Sequence, residues 1–206
     1  MAKKKAISGK RVGRPRSEAA DAHEAIMDAV YAMLKEMSVR DLTMAGVAKR
    51  AGVGKPTLYK WWPSKAALVF AMFHERLALT PETTRATTVE DELRHRVSRI
   101  IRELQDLFGK VIAELIAEGQ SDPRVLQELF EQHIAVRRSY MTSRIEQGAS
   151  SGEFRADTDA EMLVDQIFGT LYYRMLLRIE PLNADFGKRL VEQTLRGVLG
   201  PGSRSK

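Results

Sequence analysis

The chain has 206 residues, of which 44% are hydrophobic and 29% are charged, so it can bury a substantial core. It contains no cysteine, which excludes disulfide bonds, thiolate metal sites and a cysteine nucleophile. The longest apolar run, residues 66–73, is far shorter than the ~20 residues of a membrane helix, and the N-terminus lacks the apolar segment of a signal peptide. We therefore expect a soluble, cytoplasmic protein that does not contact a membrane.

Charge is distributed unevenly along the chain. Residues 1–79 contain 15 Lys and Arg against 7 Asp and Glu, whereas residues 80–206 contain 18 against 20. Seven of those cations lie in the first 16 residues, which contain no acid. Phosphate groups are the expected partner of such a basic region, and a solvated tail without a ligand is the alternative.

Apolar residues recur at helical spacing along nearly the whole chain and predict an all-α fold of about nine helices. Capping by Ser17 or Asp21 would start the first of them. The polar, threonine-rich segment 80–88 would link four N-terminal helices to five C-terminal ones. The expected helices span about 17–37, 44–51, 55–62, 65–79, 88–107, 108–117, 123–146, 159–178 and 185–199.

Residues 43–62 have the pattern of two short helices joined by a tight turn. Ala48 is small where the helices would cross, and Gly52 tolerates the positive φ that the turn needs. A shared core is expected from Val47, Ala51, Val53, Leu58 and Trp62. The side chains expected to point outward, as a mostly basic face, are Lys49, Arg50, Lys55, Thr57 and Lys60. This pattern predicts a helix-turn-helix whose second helix enters a DNA groove.

Three motifs in the N-terminal part resemble the TetR family of bacterial transcription regulators. They are Gly-Arg-Pro-Arg at 13–16, Leu-Thr-Met-Ala-Gly-Val-Ala-Lys-Arg-Ala-Gly-Val at 42–53 and Lys-Pro-Thr-Leu-Tyr-Lys-Trp-Trp-Pro-Ser-Lys-Ala-Ala-Leu at 55–68. The resemblance covers roughly residues 13–73, and the remainder agrees only in helix number and length. Trp61 departs from the family, whose members often carry His, Tyr or Arg at this position.

The resemblance implies roles for individual residues. Thr43 and the amides after it would bind a phosphate at a helix N-terminus. Base edges would be read at the start of the recognition helix, by Lys55, Pro56 and Thr57. Contacts with phosphate or an adjacent base would come from Tyr59, Lys60 and Lys65.

The basic N-terminal arm has two possible roles. Arg14 and Arg16 could lie in a narrow, A·T-rich minor groove, where the potential is most negative. Alternatively, the arm could add only salt-sensitive affinity without an ordered position.

The last two helices carry more apolar residues than one core stripe needs. Paired across a two-fold axis, they could form the four-helix bundle that is the family's usual dimer interface. The alternative is that both helices close the subunit's own core. The predicted interface residues are Leu163, Ile167, Gly169, Leu171, Leu190, Thr194 and Val198.

The C-terminal helices also offer candidates for lining a small-molecule cavity, although any large helical domain has such residues. The resemblance implies an effector pocket among them. The candidates are Leu104, Phe108, Ile112, Phe130, Ile134, Tyr140 and Phe168.

Motifs of catalysis and cofactor binding are missing from the sequence. The Gly54-Lys55 pair lacks the first glycine and the Ser or Thr of a phosphate-binding loop, and the sequence has no Gly-x-Gly-x-x-Gly or His-Glu-x-x-His. The four histidines lie singly on predicted helices, which is typical of surface or packing residues. We expect no enzyme activity, no cofactor and no metal site.

The sequence therefore predicts a basic flexible arm (1–16), a three-helix helix-turn-helix DNA-binding domain (17–79) and a helical effector-binding and dimerisation domain (80–206). The expected function is a homodimeric transcription regulator, a repressor that a small-molecule effector releases from a double-stranded DNA operator. One alternative is a sequence-tolerant, nucleoid-type DNA-binding protein. Another is a small-molecule carrier or enzyme without DNA affinity.

Overall fold

The computed structural model describes residues 15–78 and 86–197, and all regular structure within these ranges is helical. A π-helical turn, Phe130–Ile134, joins α7 to α8 without a break. Helices α7 and α8 with the π turn between them therefore count as one continuous helix. On that count the described residues form nine helices, which confirms the predicted all-α class. The helices are α1 Pro15–Glu36, α2 Met44–Ala51, α3 Lys55–Trp61, α4 Lys65–Ala78, α5 Val89–Gln105, α6 Leu107–Gly119, α7 Pro123–Leu129, α8 Ala135–Ser150, α9 Ala160–Leu177 and α10 Ala184–Leu195.

Several helix ends differ from the sequence prediction. Helix α1 begins at Pro15, so neither Ser17 nor Asp21 caps it, and the last two residues of the expected arm are helical. Proline suits a first helical turn because that turn has no intrahelical use for its N–H. Helix α8 continues to Ser150, beyond the predicted end near residue 146. Residues 80–85 of the predicted link lie outside the described residues.

The N-terminal helices pack around α1. Helix α1 contacts α2 and α4, and α3 packs on α2. The centre of this packing consists of fully buried aliphatic side chains, namely Ile26, Val30, Leu34, Val47, Leu58 and Leu68. Amphipathic periodicity alone explains this arrangement, because each helix buries one apolar stripe and leaves its polar face exposed.

The C-terminal helices pack around α5, which contacts α6, α8 and α10. Thr88 caps α5 by accepting a hydrogen bond from the Asp91 N–H at 3.0 Å. Helix α9 packs between α8, α10 and α6. None of the helices in the described ranges is long and apolar enough to span a membrane.

Polar contacts join the N-terminal helices to α6. Lys110 Nζ donates to the carbonyl oxygens of Leu34 at 3.1 Å and Met37 at 2.9 Å, near and beyond the end of α1. Glu114 accepts the Val39 backbone N–H at 2.7 Å. Because these contacts use backbone groups around the α1–α2 loop, they fix the position of that loop relative to α6.

Candidate nucleic-acid interface and ligand cavity

The α2–α3 pair has the geometry of a helix-turn-helix. Gly52 ends α2 with φ 69° and ψ 26°, the left-handed conformation that the sequence predicted for it. The Val53 N–H returns to the Ala48 carbonyl at 3.0 Å, and Ala48 is buried where the two helices meet. Leu58 and Trp62 are buried beneath α3. The turn therefore fixes α3 with its other side exposed.

Helix α2 presents a capped N-terminus. Thr43 is extended, and its Oγ1 accepts the Gly46 N–H at 3.0 Å. The remaining amides of a first helical turn have no intrahelical acceptor and carry the positive end of the helix dipole. Thr43 is exposed, so this end of α2 is available to an anion.

The exposed side of α2 and α3 is basic. Residues 42–74 contain five Lys and Arg and no Asp or Glu. Lys49, Lys55 and Lys60 are exposed and have no ion-pair partner within the described part of the chain. Arg50 differs, because its guanidinium pairs with the Glu36 carboxylate at 2.5 and 2.8 Å. Three of the cations thus remain available to a ligand on this surface.

The reading positions predicted on α3 lie on this surface. Pro56 is exposed, Thr57 is half-buried, and the Tyr59 ring is 55% exposed. Arg14 lies outside the described residues, and Arg16 lies in the first turn of α1. Trp61 packs against His23 and Trp62, with ring centroids 5.7 and 5.5 Å away, so its bulk is used to pack α3 on α1.

Lys65 is placed differently from the prediction of a phosphate contact. Its ammonium donates to the Val39 carbonyl at 2.9 Å and pairs with Glu118 of α6 at 3.2 Å. The neighbouring Ser64 hydroxyl donates to Glu128 of α7 at 2.6 Å. Sequence spacing could not reveal this, because the carboxylate partners lie more than fifty residues away. In this structure Lys65 joins the two parts of the molecule.

A cavity of about 340 Å³ lies between α5, α6, the π turn, α8 and α9. Five of the seven predicted candidates line it, namely Leu104, Phe108, Ile134, Tyr140 and Phe168. Two do not. Ile112 is fully buried in the core, and Phe130 is 50% exposed. Phe130 opens the π turn, whose wider winding shifts the side-chain positions that a regular α-helical period predicts.

The polar side chains of the cavity wall were not anticipated from the sequence. They are Arg96, Arg99, Glu103, His133, Arg137, Arg138 and Tyr172. The signal that could have found some of them is the series 96, 99 and 103, in which charged residues follow one side of α5 at helical spacing.

His133 lies in the π turn and is 6% exposed. Burial, together with the adjacent Arg137 and His74, lowers the pKa of His133 to about 3, so the imidazole is neutral. Arg137 Nη1 donates to its Nε2 at 2.7 Å. The ring packs on Phe108 at 4.9 Å and on Phe70 of α4 at 6.3 Å between centroids. The cavity wall thus touches α4 directly.

Glu92 anchors another side of the wall. Its carboxylate accepts hydrogen bonds from Tyr140 Oη and Arg144 Nε, both at 2.6 Å, and from Arg96 Nε at 3.3 Å. Burial alone would raise the pKa of Glu92, but the bonds from Tyr140 and Arg144 outweigh it and hold the pKa below its ordinary value. The network ties α5 to α8 through a carboxylate that stays ionised.

The prediction of which α9 residues contact a second subunit is wrong for three of them. Leu163, Ile167 and Leu171 are buried inside the subunit. Leu190 and Thr194 are half-buried on α10, and Val198 lies outside the described residues. Helix α9 is apolar nearly all round, so periodicity could not separate its core stripe from an exposed one.

Gly169 remains a candidate for a subunit contact. A Cβ built at this position would meet nothing within 4 Å. The exposed residues at helical spacing on either side of it are Met162, Gln166, Tyr173 and Leu176. We call this set, with Gly169, the α9 stripe. Three of its members are large apolar side chains exposed by 39–56%.

Known proteins match the chain over both parts. Residues 26–72 match the model described as bacterial regulatory proteins, tetR family, and residues 80–194 match the tetracyclin repressor-like C-terminal domain. YdeS of Bacillus subtilis, an uncharacterised HTH-type transcriptional regulator, is 35% identical over 190 residues, covering 90% of this chain and 93% of YdeS.

Solved structures agree with these matches. The TetR family transcription regulator SCO0332 is 30% identical, with a TM-score of 0.72 over 87% of this chain and 100% of that one. FadR of Bacillus subtilis, in complex with stearoyl-CoA, shares the fold at 20% identity, with a TM-score of 0.68 over 85% of this chain and 98% of that one. The chain belongs to the TetR family of bacterial transcription regulators, a non-enzymatic family.

Proposed function

We propose that this regulator is a cytoplasmic homodimeric repressor that binds a double-stranded DNA operator and leaves it when a small molecule fills the cavity. The observation that carries the DNA-binding half is the exposed side of α3. Lys55, Pro56, Tyr59 and Lys60 lie there on a segment without acids, above a turn that holds the helix rigidly. A recognition helix of this kind reads the major groove with its N-terminal residues.

Selection of bound sequences from random duplexes tests the operator half. We expect a palindromic site whose half-sites are about 34–36 Å apart, because two recognition helices must fit one DNA turn. A double variant, Lys55→Ala with Pro56→Ala, should relax the selected sequence. Recovery of no preferred sequence would instead favour the nucleoid-type alternative.

The α9 stripe supports the proposed dimer. A four-helix bundle formed by α9 and α10 of two subunits would cover its apolar side chains, and Gly169 would allow the two backbones to approach closely. A glycine within a helix costs about 1 kcal/mol relative to alanine, and close packing of a second helix would offset that cost.

Oligomeric state tests this interface. Tyr173→Glu should give a folded monomer in size-exclusion chromatography with light scattering, because the charge would be desolvated between subunits. Phe130→Glu is the matched control, since Phe130 is 50% exposed against 56% for Tyr173 but lies outside the stripe. A Tyr173→Glu variant that stays dimeric would place the interface elsewhere.

The proposed release of DNA requires a path from the cavity to α4. Two contacts connect the cavity wall to α4. The His133 ring stacks on the Phe70 ring, and His74 Nε2 donates a hydrogen bond to the Gln132 carbonyl at 2.6 Å. The Lys65–Glu118 pair supplies a second link, to α6. Helix α4 follows α3 directly, so a shift of α4 would change the spacing of two recognition helices.

A double-mutant cycle tests the second link. Lys65→Met and Glu118→Gln should each change operator affinity, and the double variant should show a coupling of roughly 0.2–1 kcal/mol, since the pair is partly exposed. Arg124→Gln, whose partner Asp122 lies beside it on the surface, is the control. Additive effects of the two changes would exclude the pair from the path.

A further inference from the structure

One cation in the cavity wall is unusual. Arg137 is partly buried there, and its Nη1 lies within hydrogen-bond distance of both ring nitrogens of His133, 2.7 Å from Nε2. A neutral imidazole accepts at one of them only. Within the described ranges no carboxylate lies at ion-pair distance from it. Burial lowers the pKa of Arg137 from its ordinary value, although a guanidinium stays charged at neutral pH.

The other arginines of the wall each have an acidic partner. Arg96 contacts Glu92 at 3.3 Å, and Arg99 contacts Glu103 at 2.7 Å. Arg138 pairs with Glu161 and Asp165. Each of these arginines has a carboxylate at ion-pair distance, although Arg96 shares Glu92 with Arg144. Within the described ranges Arg137 has none, because Glu103, the carboxylate whose charge acts on it, is hydrogen-bonded to Arg99.

His133 cannot supply the missing charge. Its imidazole is neutral and accepts from Arg137 as a dipole only. A desolvated cation without a counter-ion is unfavourable, and a bound anion that forms charge-assisted hydrogen bonds with the guanidinium would compensate it. A carboxylate matches the planar, forked donors of arginine in geometry as well as in charge.

Apart from these arginines, Glu103, His133 and two tyrosines, the cavity wall is apolar. The side chains that surround the charged groups are Ile100, Leu104, Phe108, Val164 and Phe168. A volume of about 340 Å³ is near the lower end of small-molecule pockets, which span about 300–1,000 Å³. An arginine without a carboxylate at ion-pair distance in such a space favours a ligand that carries one negative charge on a small apolar body.

We propose that the effector is a small monocarboxylic acid with an apolar body, and that Arg137 binds its carboxylate. The inference rests on the proposed function, because it names the chemical class of the effector. On binding, the carboxylate replaces His133 as the acceptor of the guanidinium, and the apolar body fills the space between Leu104 and Phe168.

Matched acid and amide pairs test the proposal without DNA. The probes are octanoate with octanamide and 4-phenylbutanoate with 4-phenylbutanamide, measured by calorimetry near neutral pH. We expect the protein to bind at least one acid roughly tenfold or more tightly than its amide, since a charge-assisted bond replaces a neutral one. Arg137→Gln should abolish this preference, and Arg137→Lys should keep part of it.

Arg102→Gln is the matched control, because Arg102 is an exposed arginine on α5 that does not line the cavity. It should keep the full preference for the acid. Equal binding of acid and amide in both pairs, no binding of either acid at millimolar concentration, or a preference that survives in Arg137→Gln would overturn the proposal. Circular dichroism checks folding, and if Arg137→Gln does not fold, the wild-type comparison and Arg137→Lys still decide.

A separate arm distinguishes this proposal from the proposed function. The acid that binds is added to the complex of the protein with its selected duplex, and release of DNA is measured. Release that Arg137→Lys weakens supports both. Binding of the acid without release would overturn the effector role but leave the anion site intact. A protein that binds DNA specifically but neither acid would contradict only the anion site.

Discussion

Cations on the exposed side of α3 and cations in the cavity wall obey different physical constraints. On α3, Lys55 and Lys60 are solvated, so an ion-pair partner would contribute little to stability. In the cavity wall, most arginines have a carboxylate at hand, because desolvated charge is costly. A lysine without an ion-pair partner is therefore ordinary on α3. Only the absence of acidic residues from the whole surrounding segment, 42–74, indicates a phosphate ligand. In the cavity wall, a single arginine without a carboxylate at ion-pair distance already indicates an anionic ligand.

The same contrast predicts how the two regions respond to substitution. Changes on α3 should alter DNA affinity while leaving the free energy of unfolding nearly unchanged. Changes among the buried groups around the cavity should alter the free energy of unfolding as well as ligand binding.

The largest effect is expected from a charge placed in the core beside the cavity. Leu171 is 0% exposed, so Leu171→Glu should destabilise the subunit by about 3–5 kcal/mol or prevent folding, because a carboxylate would be desolvated among the apolar side chains of the core. Leu171→Met conserves volume and should cost less than about 1.5 kcal/mol. Urea denaturation measures both, and a Leu171→Glu variant of native stability would contradict the burial of this side chain.

The next effect belongs to α3. Tyr59→Ala should weaken binding to the selected duplex by about 1–3 kcal/mol, as expected when a direct DNA contact is removed. The unfolding free energy should change by less than about 0.5 kcal/mol, because the ring is 55% exposed. Tyr59→Phe separates the hydroxyl from the ring. Fluorescence anisotropy at fixed salt gives the affinities, and unchanged binding in Tyr59→Ala would remove Tyr59 from the interface.

How much could be predicted from the sequence differs between the regions for a physical reason. The structure of residues 43–62 depends on contacts between residues that are close in sequence. The positive φ of Gly52 and the burial of Ala48 and Leu58 can therefore be predicted from spacing and φ preference. Helix α9 itself carries apolar side chains on nearly every side, so its sequence does not distinguish the core-facing side from an exposed one. The prediction therefore places Leu171 on the wrong face. The cavity depends on contacts between distant segments, as the Lys65–Glu118 pair does, and on a π turn that spacing does not predict.

His133 gives the stability of the buried region a pH dependence. The pKa of about 3 in the folded state lies below the ~6.5 of an unfolded histidine, so the unfolded chain binds the extra proton between these values. Stability from this group is complete above about pH 6.5 and falls as the pH is lowered. At pH 5 the decrease is about 2 kcal/mol, from about 1.4 kcal/mol per pH unit.

Denaturation of the wild type and of His133→Gln at pH values of about 7 and 5 checks this. Glutamine offers Arg137 an acceptor but does not titrate, so the variant should be destabilised by about 2 kcal/mol less than the wild type over this interval. Arg137 and His74 face the ring and are unchanged in both proteins. Parallel pH curves would mean that the imidazole is not buried as a neutral group.

The smallest effect per residue on DNA affinity is expected from replacing the solvated lysines. The salt dependence of that affinity measures this effect best. Removing one lysine–phosphate ion pair should flatten the plot of log affinity against log salt by about 0.9. Lys55→Gln with Lys60→Gln should therefore reduce the slope by up to about 2, and removal of residues 1–12 with Arg14 and Arg16 neutralised should reduce it further.

The control for this series is Arg124→Gln, which also removes one positive charge but lies on α7, where its guanidinium already pairs with Asp122. Its slope should equal that of the wild type, because the slope reflects phosphates neutralised at the interface rather than net charge. If Arg124→Gln flattens the plot as much as Lys60→Gln does, the protein attracts DNA through its overall charge. If the arm variant alone leaves the slope unchanged, the arm does not touch phosphate, and α2 and α3 alone provide the electrostatic attraction.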